Sequence, residues 1–408
     1  MLSLGVNRSV FSLALARMVD SFGNSFLIVV LPVYIAQGFG TPPLGLSESL
    51  LTGVILSMFG FLNSFGQPFT GRASDRAGKR KLFVLAGLVV LCLSSFAYSF
   101  ANSYASLLVI RAFQGIGAAL TIPASVALID EYAGAGHRGG NMGVYNTFRL
   151  VGFGLGPIVS GSIIHVRTFR LGGLTVDGFH LAFAVAGMAI FASLVLVTVF
   201  VDDSPETSPS TEEFHVDVFS DGPTRLDPIF ALAIVSLFMA ISIALLSTIE
   251  PHVNRRLQQT PAMFGIQFAA FVVAQVLLQT PIGYASDRVG RRPFILLGMM
   301  LLVPATLVQG YITTSLAMVG ARFFQGIAGA MVFAPALALA GDFALEGHSG
   351  SQLSLLTMTF GLGTALGPLS SGVLVRFGYV TPFAFGAGLA ALGVAIVLTQ
   401  VYDPDVRR

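Results

Sequence analysis

Apolar and polar residues fall in long blocks along this chain rather than alternating. No Asp, Glu, Lys or Arg occurs between Lys81 and Arg111, which leaves room for two helices joined by a turn at Asn102-Ser103. Similar uncharged stretches run between Asp177 and Asp202, Asp227 and Glu250, Arg256 and Asp287, Pro293 and Arg322, and Arg376 and Asp403. A helix needs about 20 apolar residues to cross the hydrocarbon of a bilayer. The blocks predict twelve such helices, near 10–36, 48–70, 82–101, 104–129, 142–165, 179–201, 228–250, 261–281, 293–313, 315–341, 351–375 and 380–402. A membrane barrel would need alternation with a period of two, which these runs lack.

Composition narrows the class. The chain has 408 residues, 54% of them hydrophobic and only 10% charged, against about 25% charged in soluble domains. Its 22 basic and 20 acidic side chains cannot cover a water-soluble fold of this size. A cytoplasmic enzyme, a secreted domain and a nucleic-acid binder are excluded. The single cysteine, Cys92, makes no disulfide framework, and six scattered histidines give no metal pattern. No phosphate-binding loop or nucleophile elbow is present. The fold class is therefore an all-α polytopic membrane protein. Arg8 and Ala14-Leu15-Ala16 imitate a signal peptide, but the apolar stretch continues past them, so an uncleaved first span is expected.

Basic residues set the orientation. With both termini inside, the cytoplasmic side carries thirteen of the 22, among them Arg72, Arg76, Lys79, Arg80, Lys81, Arg288, Arg291 and Arg292. The outer side carries five: Arg167, Arg170, Arg255, Arg256 and Arg376. Residues 202–227 form an acidic cytoplasmic linker, reading as flexible from Ser204-Pro205 to Pro209-Ser210. The expected organisation is a six-helix bundle over 1–201, the linker, and a second bundle over 228–408.

The halves repeat. Gly71, Asp75, Arg76, Gly78, Lys79 and Arg80 return as Gly283, Asp287, Arg288, Gly290, Arg291 and Arg292, about 212 residues on. Arg111, Gln114 and Gly115 return as Arg322, Gln325 and Gly326, and Gly156-Pro157, Ser160 and Gly161 as Gly367-Pro368, Ser371 and Gly372, about 211 residues on. Parallel repeats of this kind place a site near the midplane and expose it by rocking.

These blocks resemble the major facilitator superfamily. The stretch from Gly71 to Arg80 is similar to that family's loop motif between the second and third helices, with Gly283, Asp287, Arg288 and Gly290 as its second copy. The resemblance implies that Asp75 contacts the eleventh helix and latches the outward-open state. Arg76, Lys79, Arg80 and Lys81 would pair with Asp130 and Glu131; the alternative is a solvated loop that fixes topology. Asp20, preceding Leu31-Pro32, is similar to the first-helix pattern of twelve-helix drug:proton antiporters. Gly143, Gly152, Gly156, Pro157 and Gly161 resemble the antiporter motif of the fifth helix, with Ser160 replacing one glycine. Missing side chains there permit close helix packing, and Pro157 bends the helix.

Ionisable and polar residues inside the spans supply the candidate chemistry. An acid in mid-membrane costs several kcal/mol and usually serves function, so Asp20 is the candidate proton carrier, unless it forms a static pair with Arg17 one turn away. The resemblance implies that Arg111 supports the proton transfer; a structural arginine is the alternative. Glu250, closing the seventh helix before Pro251, is either a second protonation or cation site or an interfacial acid reaching water. Arg149 pairs with Asp130 or Glu131, or contacts an anionic substrate. Asp342 is expected to repeat Asp130. Asn24, Gln114, Asn146 and Gln325 are the polar candidates for a substrate cavity.

The expected function is export of a small organic molecule in exchange for protons, across the plasma membrane. Alternatives are a symporter or facilitator importing sugars or organic acids, and a sensor without turnover. Protons are the coupling ion, with no cofactor or metal. The expected partners are the substrate and the lipid bilayer, with no nucleic acid, and the chain is expected to act as a monomer.

Overall fold

The computed structural model describes residues 8–37, 42–133, 138–166, 168–171, 174–203, 218–220, 224–343 and 349–403. The helices are α1 (Arg8–Ile35), α2 (Glu48–Ala77), α3 (Arg80–Ala97), α4 (Tyr104–Ala133), α5 (Arg138–Val166), α6 (Gly178–Phe200), α7 (Pro228–Ala244), α8 (Glu250–Arg256), α9 (Pro261–Val289), α10 (Arg291–Leu307), α11 (Ser315–Phe343), α12 (Ser349–Leu374) and α13 (Thr381–Gln400). All but α8 are long and apolar enough to cross a membrane, giving twelve spans among the described residues. Between α5 and α6 lies an antiparallel hairpin of β1 (Thr168–Leu171) and β2 (Leu174–Asp177), pairing Thr168 with Asp177. It interrupts an otherwise helical chain, and apolar periodicity does not reveal it.

Helix ends follow local chemistry. Asp177 caps α6 by accepting from the Phe179 amide at 3.0 Å. Asp227 caps α7, accepting from Ile229 and Phe230 at 2.9 and 3.2 Å, with Pro228 as the first helical residue. Helices α2 and α9 continue past the expected ends at 70 and 281, because backbone bonding outlasts the apolar stretch. They stop where Gly78 (φ +58°) and Gly290 (φ +107°) take a conformation that side chains disfavour. The second turn is one residue shorter. Lys79 separates Gly78 from α3, whereas Gly290 itself precedes α10. This explains why the repeat spacing falls from 212 to 211 after the loop.

The seventh helix is shorter than expected. It ends at Ala244, passes through a 3-10 turn (Leu245–Ser247), and Glu250 then opens the separate helix α8. Most of the linker, 204–217 and 221–223, lies outside the described residues, as do the terminal residues, Arg167 and the side chains of Arg8, Asp130 and Arg138. The linker's last part pairs with itself at Phe219 and Leu226.

Contacts divide the chain into two compact units. One holds Met1–Glu48, Phe61–Ser210 and Gln259–Ala269; the other holds Ser49–Gly60, Thr211–Gln258 and Ala270–Arg408. A cut at 202–227 would separate α1–α6 from α7–α13, but the opening turns of α2 and α9 are exchanged between the units. In the first unit α1 packs on α5 and α6, and α3 on α4. In the second, α7 packs on α12 and α13, and α10 on α11. The duplication in sequence thus returns as a duplicated set of neighbours.

Glycines set the tightest of these contacts. A Cβ at Gly152 would lie 1.9 Å from the carbonyl oxygen of Met18, and one at Gly156 would lie 2.7 Å from that of Phe22. The α5 backbone therefore rests on α1 around Asp20. In the second unit, Gly363 and Gly367 meet α7 at Leu237 and Ile241 in the same way. A Cβ at Gly161 would lie 2.4 Å from the Pro261 carbonyl oxygen, and one at Gly372 would lie 2.4 Å from that of Ser49. Gly143 departs from the expected close packing: no described residue lies within 4 Å of the Cβ it would carry. Gly283 is equally open among the described residues, and a Cβ at Gly71 would lie 3.6 Å from the Pro123 Cβ.

Gly152→Ala should therefore destabilise the protein by about 1–3 kcal/mol through overpacking. Gly143→Ala should stabilise it by up to about 1 kcal/mol through helix propensity. Melting of the two purified variants in detergent checks the opposite signs.

Candidate functional site

Helix α1 is buried along much of its length, and its one acidic side chain goes into the interior with it. Asp20 is 3% exposed. Arg17, one turn earlier, donates from Nη1 to Asp20 Oδ2. The pair borders a small pocket with room for about one water. Thr121, Ser125 and Ser193 supply its other polar walls, and Leu13, Val84, Leu88 and Val197 are among its apolar ones. Asp20 Oδ1 and Arg17 Nε have no hydrogen-bond partner among the described residues. A carboxylate oxygen is thus left beside a space of water size, inside the first unit.

Asn24, one turn beyond Asp20, is partly buried. On α5, which lies against α1, Asn146 and Arg149 are both partly exposed, and Arg149 Nε donates to Asn146 Oδ1 at 3.4 Å. Arg149 lies within electrostatic reach of Arg17 and Tyr145. Glu131, one of its two expected partners, is taken by Arg80; the side chain of Asp130 lies outside the described set.

Arg111 and Gln114 belong to a polar lock between α3 and α4. Gln114 Oε1 accepts from Arg111 Nη1 at 2.9 Å and from the Tyr98 hydroxyl at 3.0 Å, while its Nε2 donates to Ser95 Oγ at 3.1 Å. The second unit repeats this. Gln325 accepts from Arg322 and donates to Thr306 Oγ1 at 3.0 Å and to the Ser242 carbonyl at 3.3 Å. Gln114 and Gln325 are each 1% exposed. Their polar atoms are spent on neighbouring helices. Arg111 does not pair with Asp20; that place belongs to Arg17. Sequence reasoning missed Ser95 and Thr306, although the 211-residue spacing relates them too.

The loop motif forms an ion-pair clasp. Arg80 donates from Nη1 to Asp75 and from Nε to Glu131, tying the ends of α2, α3 and α4. Lys81 Nζ reaches Asp202 at 3.2 Å, and its amide donates to Asp203 at 2.7 Å. In the second unit Arg291 bridges Asp287, at 3.2 Å, and Asp342. The counterpart of Arg80 is therefore Arg291, not Arg292, and Asp342 repeats Glu131 rather than Asp130. The shorter turn at Gly290 shifts the register. Arg292 takes the place of Lys81, with its amide on Asp403 at 3.0 Å and Nη2 on the Leu398 carbonyl at 2.9 Å. Arg76, Lys79 and Arg288 appear in no ion pair among the described residues.

Glu250 is fully buried, which overturns the reading of an acid reaching water. Its Oε1 accepts from Asn254 Nδ2 at 3.3 Å, and its Oε2 has no partner among the described residues. Burial pushes its carboxyl well above the usual carboxylate range, and the Asn254 bond opposes this only in part.

Twelve spans in two matching sets of neighbours, with ionisable side chains inside them, define a multi-pass membrane transporter rather than an enzyme. The chain belongs to the Major Facilitator Superfamily, whose model matches residues 13–232 and 231–408. It is 23% identical over 406 residues to the quinolone resistance protein NorA of Staphylococcus aureus (strain MRSA252), covering 97% of each chain. It is 23% identical over 409 residues to multidrug resistance protein 2 of Bacillus subtilis (strain 168), covering 97% of this chain and 96% of that one. Among solved structures, the human organic anion transporter MFSD10 superimposes with a TM-score of 0.67 at 21% identity, over 96% of this chain and 99% of that one. A POT family transporter in complex with 5-aminolevulinic acid superimposes with a TM-score of 0.81 at 14% identity, over 99% and 98%. These structural likenesses establish the fold.

The Glu250 environment has a pH signature. A carboxyl raised in the folded state costs nothing below its unfolded value of about 4.3, and it costs stability as the pH climbs towards its raised value. Melting temperature should fall over that rise in the wild-type protein. In Glu250→Gln this component should be absent, which a pH series of melting curves on both proteins checks.

Proposed function

We propose that this transporter exports small, amphipathic organic molecules in exchange for protons by alternating access. The observation that carries the reading is Asp20. Among the described residues it is the one carboxylate lying more than a turn from either end of a membrane-spanning helix. It sits on a guanidinium beside a water-sized pocket. The drug-resistance descriptions of the two bacterial relatives support export. The bias of basic residues supports cytoplasmic termini in a cell membrane.

In this mechanism a proton from outside neutralises Asp20. Arg17 then loses its counter-charge, and the contact of α1 with Gly152 and Gly156 of α5 carries the change into the bundle. Moving a two-state balance from 1:99 to 99:1 takes about 5.5 kcal/mol. A pH difference of one unit supplies about 1.4 kcal/mol per proton, and a potential of 100 mV about 2.3 kcal/mol per charge. One proton with both is insufficient, so a second proton or substrate binding completes the cycle. Glu250 is the candidate second carrier.

The test is reconstitution into liposomes with an imposed pH gradient and a fluorescent dye substrate. Wild-type protein should move dye against its gradient, and Asp20→Asn should lose this by at least about tenfold while still binding dye. Gradient-driven flux that survives in Asp20→Asn, or flux indifferent to the pH gradient, would overturn the reading.

A further inference from the structure

We propose that Arg149, with Asn146 and Phe153, binds the carboxylate and adjoining ring of an aromatic organic anion. This names a substrate class for the exporter and rests on that reading. The argument starts from charge. Within the spans of the first unit, Arg17, Arg111 and Arg149 face a single mid-span carboxylate, Asp20. Arg17 is spent on Asp20, and Arg111 bonds Gln114. Glu131 is held by Arg80. Arg149 has one long bond, 3.4 Å, to an amide oxygen and no acidic partner among the described residues.

A guanidinium in low dielectric without a counter-charge is costly. An arriving carboxylate would relieve that cost and meet a planar fork suited to binding it through two hydrogen bonds. Arg149 is partly exposed and therefore reachable. With its Oδ1 accepting from Arg149, Asn146 keeps its amide N–H groups for a second anion oxygen.

The aromatic part of the ligand is set by Phe153. It lies four residues beyond Arg149, so the two side chains share one face of α5. Its ring is partly exposed and stands 5.3 Å from that of Phe268, tilted by 58°. A flat ring laid on Phe153 would place a carboxylate substituent about one helical turn away, at Arg149. A lipophilic cation would meet repulsion at the same place.

The test is equilibrium binding to the purified full chain in detergent, without any gradient, so that failure of proton coupling leaves it unaffected. The probes are rhodamine B, which has a free carboxylate, and its ethyl ester, followed by fluorescence anisotropy. Wild-type protein should bind the acid at least about tenfold more tightly than the ester. Arg149→Gln should abolish that preference with ester binding retained, and Arg149→Lys should restore part of it. A second measurement needs no variant: 1-naphthoate should displace rhodamine B, and 1-naphthamide should not. A wild-type protein without preference for the acid, a preference surviving in Arg149→Gln, parallel loss of both dyes, or equal displacement by the two naphthyl compounds would each overturn the proposal.

Discussion

Inside a bilayer no water is at hand to satisfy a stray donor or charge, so every polar side chain in a span must find its partner in protein. That constraint organises this molecule. Arg111 and Arg322 are each placed against a glutamine on the same helix, and the glutamine in turn bonds a hydroxyl on the neighbouring helix. Arg17 and Asp20 satisfy each other in part, with one oxygen and one nitrogen left over beside a void of water size. The arginine–glutamine groups fasten helix pairs. Buried polar atoms without a hydrogen-bond partner among the described residues occur on Arg111 and Arg322 as well as on Arg17, Asp20 and Glu250.

The duplication is followed closely where helices are held together and loosely where charges sit. Both repeats keep the arginine–glutamine lock, the glycine seam of α5 on α1 or of α12 on α7, and the arginine bridging two carboxylates at the end of the bundle. The first repeat alone has an acid and a base in its opening helix, and an arginine two turns into α5. The second has Glu250, in the short helix α8. Packing is shared between the repeats, and ionisable chemistry is divided between them.

Much of the scaffold was legible in the sequence because lipid makes a blunt demand: about 20 apolar residues per crossing. Helix ends were less legible. Apolarity stops at Phe69 in α2, yet hydrogen bonding continues to Ala77 and is ended by the conformation of Gly78. Asp20 stood out because a carboxylate among apolar residues is conspicuous. Gln114 and Gln325 stood out in the same way, but a polar residue in a span is equally conspicuous whether it lines a cavity or locks a helix pair. Only the position of Ser95 or Thr306 on the neighbouring helix separates the two cases. Glycine spacing alone likewise does not distinguish Gly152, pressed on a carbonyl, from Gly143, whose missing Cβ would meet no described residue.

The turns at Gly78 and Gly290 differ by one residue, yet each leads into a helix whose first arginine reaches two carboxylates, Arg80 on Asp75 and Glu131 and Arg291 on Asp287 and Asp342. Lys79 lies in the turn and not in α3, so the extra residue lengthens the connection without turning the helix that follows. A residue inserted within α3 or α10 would instead rotate the rest of that helix by about 100°. Connection length is thus free to drift between the repeats where helix phase is not.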